Sequence, residues 1–82
     1  MDWDEEIDAV GLLCPLPVLR AAKRLRALAP GKALLLKADD PAAVVDVPHF
    51  CAEQGYNLVR TGERDGVAEY LIRKPSRPGG RP

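Results

Sequence analysis

The stretch Gly11-Leu12-Leu13-Cys14-Pro15-Leu16-Pro17-Val18 marks the point at which a strand gives way to a helix. Proline is tolerated in a helix's first turn, where its missing N–H would have no intrahelical partner, so the two prolines read as N1 and N3 and Cys14 as the N-cap. The N–H groups of Leu16 and Val18 are then the donors left near the sulfur, together with the positive end of the helix dipole. A thiol so placed is predicted to have its pKa lowered into the neutral range. Because two prolines remove donors, the expected activation is moderate, which suits a sulfur that must both accept and pass on a group.

The organisation of the chain follows by working outward from this turn. Glu5 to Val10 alternates as a short strand, and Pro15 to Leu28 carries Val18, Ala21, Ala22, Leu25 and Leu28 at a helical period. Pro30-Gly31 ends that helix, and Lys32 to Ala38 is short and uniformly apolar, as a largely buried strand is. Asp39-Asp40-Pro41 offers a cap and an N1 proline for a second helix, in which Val44, Val47, Phe50 and Cys51 lie three or four apart and Gly55 supplies the stop. Pro48 falls inside this run. It removes one bond and clashes with the carbonyl four residues back, so a short first turn followed by a main helix from near Val47 is expected. Asn57 to Glu63 and Val67 to Lys74 flank Arg64-Asp65-Gly66, a hairpin signal. The order is βαβαββ. The economical arrangement is an α+β two-layer sandwich, a four-stranded mixed sheet with two helices on one face, and the right-handed crossover rule fixes the first βαβ unit.

Composition bounds the rest. At 82 residues, 46% of them hydrophobic, the chain has room for one small core; residues 1–74 read as a single domain and 75–82, rich in proline and glycine, as a disordered tail. Twelve basic and twelve acidic residues cancel, so no whole-molecule field draws nucleic acid or anionic membrane. Cys14 and Cys51 form no CxxC pair, and the single His49 leaves no zinc-ligand spacing, so neither a metal nor a cofactor is expected. The acidic start lacks the order of a secretory signal and no apolar run approaches membrane-spanning length, which points to the cytoplasm, where thiols stay reduced.

The run Asp8-Ala9-Val10-Gly11-Leu12-Leu13-Cys14-Pro15-Leu16-Pro17-Val18 resembles the CPxP signature of the TusA (SirA-like) sulfur-carrier family. Pro30-Gly31, Asp39-Asp40-Pro41-Ala42, Asp46-Val47-Pro48-His49-Phe50-Cys51 and Tyr70-Leu71-Ile72-Arg73-Lys74 resemble it in the same order, so that the likeness spans Asp8 to Lys74. The resemblance implies a βαβαββ sandwich whose CPxP cysteine carries a persulfide. The sulfur comes from a cysteine desulfurase or another donor and passes to an acceptor protein; tRNA 2-thiouridine synthesis, molybdenum-cofactor metabolism and sulfur oxidation are the family's destinations. Cys14 is then the carrier, with Gly11, Pro15, Leu16, Pro17, Val18 and Asp8 shaping its surroundings. The best-known tRNA-thiolation member has a basic residue before the cysteine and an acidic one between the prolines. Here these are Leu13 and Leu16, which make the rim of the site apolar and bear on partner choice.

Other residues carry weaker signals. Arg20, Lys23, Arg24 and Arg26 make the first helix basic, which suffices as a solvated, dipole-complementing face and also suits, with Leu13, the docking of an acidic partner. No aromatic residues interleave them, so direct tRNA binding is not expected. Cys51 shares a helical face with Val47 and Phe50 and reads as a packed thiol, His49 as exposed, Asp8 as a turn residue and Asp40 as a helix cap. The alternative function is a redox-responsive or regulatory interaction module using Cys14 and the basic helix; a buried Cys51 would exclude a Cys14–Cys51 bridge without backbone movement.

Overall fold

In the computed structural model, residues 3–76 are described, so that most of the tail assigned to 75–82 lies outside them. The order is β1 (Glu5–Asp8), α1 (Leu16–Ala27), β2 (Ala33–Ala38), α2 (Ala43–Gln54), β3 (Asn57–Arg64) and β4 (Val67–Arg73), as the sequence pattern predicts. The sheet runs β1-β2-β4-β3. β1 pairs with β2 in parallel, and β4 is antiparallel to both β2 and β3.

Leu34, Leu36 and Ala38 of β2 and Tyr70 and Ile72 of β4 point to the face that both helices cover, joining Ala21, Leu25 and Leu28 from the first helical segment and Ala43, Val47 and Cys51 from α2. Ala33, Leu35 and Leu71 point the other way and pack with Trp3. β2 therefore has neighbours on both edges and cover on both faces, which is why its sequence is apolar without alternation. Each of its enclosed leucines contributes about 2 kcal/mol of transfer free energy. Lys74 fastens the C-terminal end of α1, its Nζ donating to the carbonyls of Arg26 (3.2 Å) and Leu28 (2.8 Å). The hairpin closes through Asp65 (φ 54°) and Gly66 (φ 81°), two successive left-handed residues of the kind an Asp-Gly turn between twisted strands requires.

α2 begins at Ala43, two residues beyond the expected N1 proline Pro41, and its interior departs from expectation twice. It runs unbroken through Pro48, because the proline lies in its second turn and deprives only the Val44 carbonyl of an i+4 donor. Val44 is itself 61% exposed, so water can serve that group. Exposure of Val44 is the second departure: Ala43, with Val47 and Cys51, takes the core-facing place instead.

Candidate functional site

Because β1 and β2 are adjacent and parallel and each leads into a helix, both helices begin at the same end of the sheet. The loop of residues 9–15 meets the loop of residues 39–42 there. Asp8 shapes the first turn, its Oδ1 accepting the Val10 N–H at 3.0 Å, and Leu12 N–H closes onto the Ala9 carbonyl. Gly11 adopts φ +89°, a conformation glycine takes without strain, and its N–H donates to Asp39 Oδ1 at 2.9 Å. Asp40 then ties the two helix starts together: Oδ2 accepts the Cys14 N–H at 2.6 Å while Oδ1 accepts the Ala42 N–H at 3.2 Å. Asp40 thus does more than the capping role read from sequence, which it only partly fulfils, since Ala42 occupies the cap position of α2.

The register at α1 is shifted by one from expectation. Pro15 is the cap, Leu16 is N1 and Pro17 falls at N2, while Cys14 lies just outside the helix, joined to Pro15 by a cis peptide bond. Leu16 N–H donates to the Leu13 carbonyl at 2.8 Å, so it is taken up in a turn rather than held open for the sulfur. Pro17 is buried and Val18 half-buried against the core, anchoring the start of the helix, whereas Leu13, Cys14, Pro15 and Leu16 are exposed.

Cys14 Sγ lies 3.0 Å from Asp46 Oδ2, a carboxylate in the first turn of α2. This contact reverses the expected electrostatics. The hydrogen bond to Asp46 raises the thiol pKa above its ordinary value, and partial desolvation and the negative charges of Asp46 and Asp40 act in the same direction. The helix end does not lower the thiol pKa here. Sequence reasoning missed Asp46 as a partner of Cys14 because it is 32 positions away and the block from Asp46 to Cys51 reads only for its resemblance and its packed thiol. The parallel β1–β2 pairing, with an acidic residue one turn into the second helix, was the available signal.

Cys51 is the other cysteine and is enclosed, 2% exposed, among core residues. A bridge to Cys14 would require its extraction from the core, which removes the intramolecular disulfide form of the redox reading. His49 is exposed and 3.3 Å from Glu53 one turn on, away from the thiol chemistry. Beside Leu16, a groove of about 590 Å³ runs between α1 and β1, lined by Ile7, Leu16, Leu19, Arg20, Lys23, Arg24 and Ala27. Arg24 is held there by Glu5 at 2.9 Å, while Arg20 and Lys23 are exposed. Among the described residues no three of His, Cys, Asp and Glu are grouped to hold a metal ion, and no helix is long and apolar enough to cross a membrane.

An exposed cysteine in a CPxP turn at the joint start of two helices on a mixed sheet agrees with the resemblance drawn from the sequence. Residues 5–74 match the family described as Sulfurtransferase TusA. The chain belongs to the TusA family. It is 44% identical over 73 residues, 89% of this chain and 96% of the relative, to the sulfur carrier protein TusA of Allochromatium vinosum. A SirA-like protein from Desulfitobacterium hafniense has a crystal structure with a TM-score of 0.77 to this fold and 32% identity, covering 84% of this chain and 95% of the other. The four-stranded mixed sheet with two helices matches the fold of that SirA-like relative, and the CPxP turn falls within the matched region.

Proposed function

We propose that this protein is a sulfur carrier in which Cys14 holds a sulfane sulfur as a persulfide. The sulfur is taken from a cysteine desulfurase or another persulfide donor and passed to an acceptor protein in the cytoplasm. The observation that carries the reading is the exposed Cys14 thiol in the CPxP turn of a TusA-family chain, set on a rigid joint between two helix starts. Loading is exchange at sulfur. Cys14 Sγ bonds to the terminal sulfur of the donor persulfide, the donor's S–S bond breaks, and the donor cysteine leaves as a thiolate that takes up the proton Cys14 gave up. Atoms and charge balance without oxidant, metal or organic cofactor.

Gly11, Asp8, Pro15 and Pro17 fix the path of the loop in this reading, and the apolar rim of Leu13 and Leu16 meets the partners. Arg20, Lys23 and Arg24, in the groove next to that rim, suit an acidic partner surface whose encounter they would steer. Recipients in tRNA 2-thiouridine synthesis, molybdenum-cofactor assembly or sulfur oxidation all fit the chemistry, and an apolar Leu16 between the prolines is where selection among them would act. Direct contact with tRNA is not part of the proposal.

Incubation with a cysteine desulfurase and free cysteine, followed by intact mass measurement, tests it. The wild type gains one sulfur that dithiothreitol removes, and Cys14→Ser gains none. Equal gain by Cys14→Ser, or none by the wild type, refutes the carrier role.

A further inference from the structure

The atom that must act as a nucleophile faces carboxylates. Cys14 Sγ is 3.0 Å from Asp46 Oδ2, and the backbone N–H of the same residue is held by Asp40. Among the described residues no cation acts on the Cys14 thiol. The first turn of α1 has no charged side chain, Asp39 is engaged with Gly11, and Asp8 with Val10. Lys37 is paired with Glu6 and Arg24 with Glu5, while Arg20 and Lys23 of α1 are exposed and do not act on the thiol.

We propose that Asp46 is a positioning residue that holds Cys14 as the hydrogen-bonded thiol in the free carrier, and that a basic side chain of a partner, by pairing with Asp46, frees the sulfur for transfer. The proposal rests on the reading of Cys14 as the transfer atom. A carboxylate oxygen can only accept, so the 3.0 Å contact is made by an S–H donor; a thiolate in the same place would set two anionic atoms against each other. The N-terminal turn of α2 favours the carboxylate where it stands, and the backbone joint through Asp40 keeps Cys14 within its reach. The raised thiol pKa, with the Asp46 hydrogen bond as its largest cause, is the expected electrostatic signature.

The arrangement suits a carrier that diffuses between partners. A thiolate is the form that is oxidised and alkylated, and a protonated sulfur resists both while unbound. Exchange with a persulfide requires the thiolate, so reactivity is restored where a partner supplies the missing cation. When a partner's ammonium or guanidinium pairs with Asp46, the S–H loses its acceptor. Its proton is released, and the leaving donor thiolate recovers one, so that no net proton or electron is consumed.

The test is the pH profile of Cys14 alkylation by iodoacetamide in the full-length protein, with Asp46→Asn as the variant and circular dichroism to confirm its fold. The variant's profile is expected to move to lower pH, its rate at pH 7 rising by at least about threefold as the thiolate fraction grows. An unchanged or slower profile overturns the assignment, and so does a wild-type profile centred below the ordinary cysteine range, which is readable even if the variant does not fold. Short oligolysine at low salt is the probe for a basic partner. Acceleration in the wild type that is lost in the variant supports release through Asp46; equal acceleration in both, or none in either, overturns it. Alkylation needs no sulfur donor. Failure to load sulfur would therefore refute the carrier reading without touching Asp46, and an unmoved pH profile would do the reverse.

Discussion

Cys14 and Cys51 are both harder to ionise than an ordinary cysteine, but their leading causes differ. Cys14 is exposed and is raised by a hydrogen bond and by neighbouring negative charge. Cys51 is enclosed beside Val47 and Ala43, and burial alone pushes it up to about 11. The first cause belongs to a polar surface site and can be altered by a partner, a substitution or salt. The second belongs to the core and is altered only by unfolding. Cys14 is thus open to reagents and partners in the folded protein, whereas Cys51 reacts only where the fold opens.

The comparison is broken or kept most plainly by labelling. Iodoacetamide reaches Cys14 in the native protein, but reaches Cys51 only in the fraction of molecules that open. For a domain of ordinary stability the ratio of the two rates is expected to be on the order of a thousandfold or more. Peptide mapping after timed alkylation measures it, and added urea should close the gap by accelerating Cys51 alone. Comparable native rates would mean that α2 opens locally and that Cys51 is not part of the stable core.

Alkaline stability separates the two causes next. Cys51 is neutral in the fold and its folded-state pKa lies above the unfolded value, so its contribution is fully present below the unfolded pKa and is lost as pH rises through about 11. Between about pH 9 and 11 the fold should lose roughly 2 kcal/mol from this group. Tyr70 adds in the same direction, its phenol raised by burial and by the charge of Asp40 and its hydroxyl without a protein partner. Urea unfolding across this range, in wild type and Cys51→Ala, isolates the cysteine: the variant starts from lower stability, because a packed sulfur is gone, but falls less steeply. Parallel curves would show that Cys51 does not carry the alkaline loss.

The contrast between the cysteines was half legible in the sequence. Burial of Cys51 followed from its spacing to Val47, and the strand and hairpin pattern followed from the uniform run Lys32 to Ala38 and the Arg64-Asp65-Gly66 turn. These are local signals, in which a residue and its immediate neighbours determine the outcome. Pro48 misled because a proline's cost depends on which carbonyl it orphans, and Val44 is exposed enough to be solvated. The surroundings of Cys14 were the least legible. The proposal of Cys14 as the reactive atom could be read from the CPxP turn, but its hydrogen bond to Asp46 could not, because that pairing exists only once two parallel strands bring two helix starts together. The one-residue shift at α1 compounds this, since Leu16 N–H closes a turn onto Leu13 instead of standing open.

Salt gives the smallest and most discriminating difference. The contributions to Cys14 are a short hydrogen bond from the thiol to Asp46, partial desolvation, and the charges of Asp46 and Asp40. Only the charges act through solvent that salt can enter. Raising KCl from about 0.1 M to about 1 M shortens the screening length from about 10 Å to about 3 Å. The alkylation profile of Cys14 should therefore move to lower pH, yet remain above that of a free cysteine because the 3.0 Å contact is too short to be screened. Cys51 has no charge contribution, so the difference between wild type and Cys51→Ala in the slope of stability against pH between about 9 and 11 should be the same at both salt concentrations. A Cys14 profile indifferent to salt would assign its raised pKa to the hydrogen bond and desolvation alone, and would leave Asp40 as a purely structural tie between the two helices.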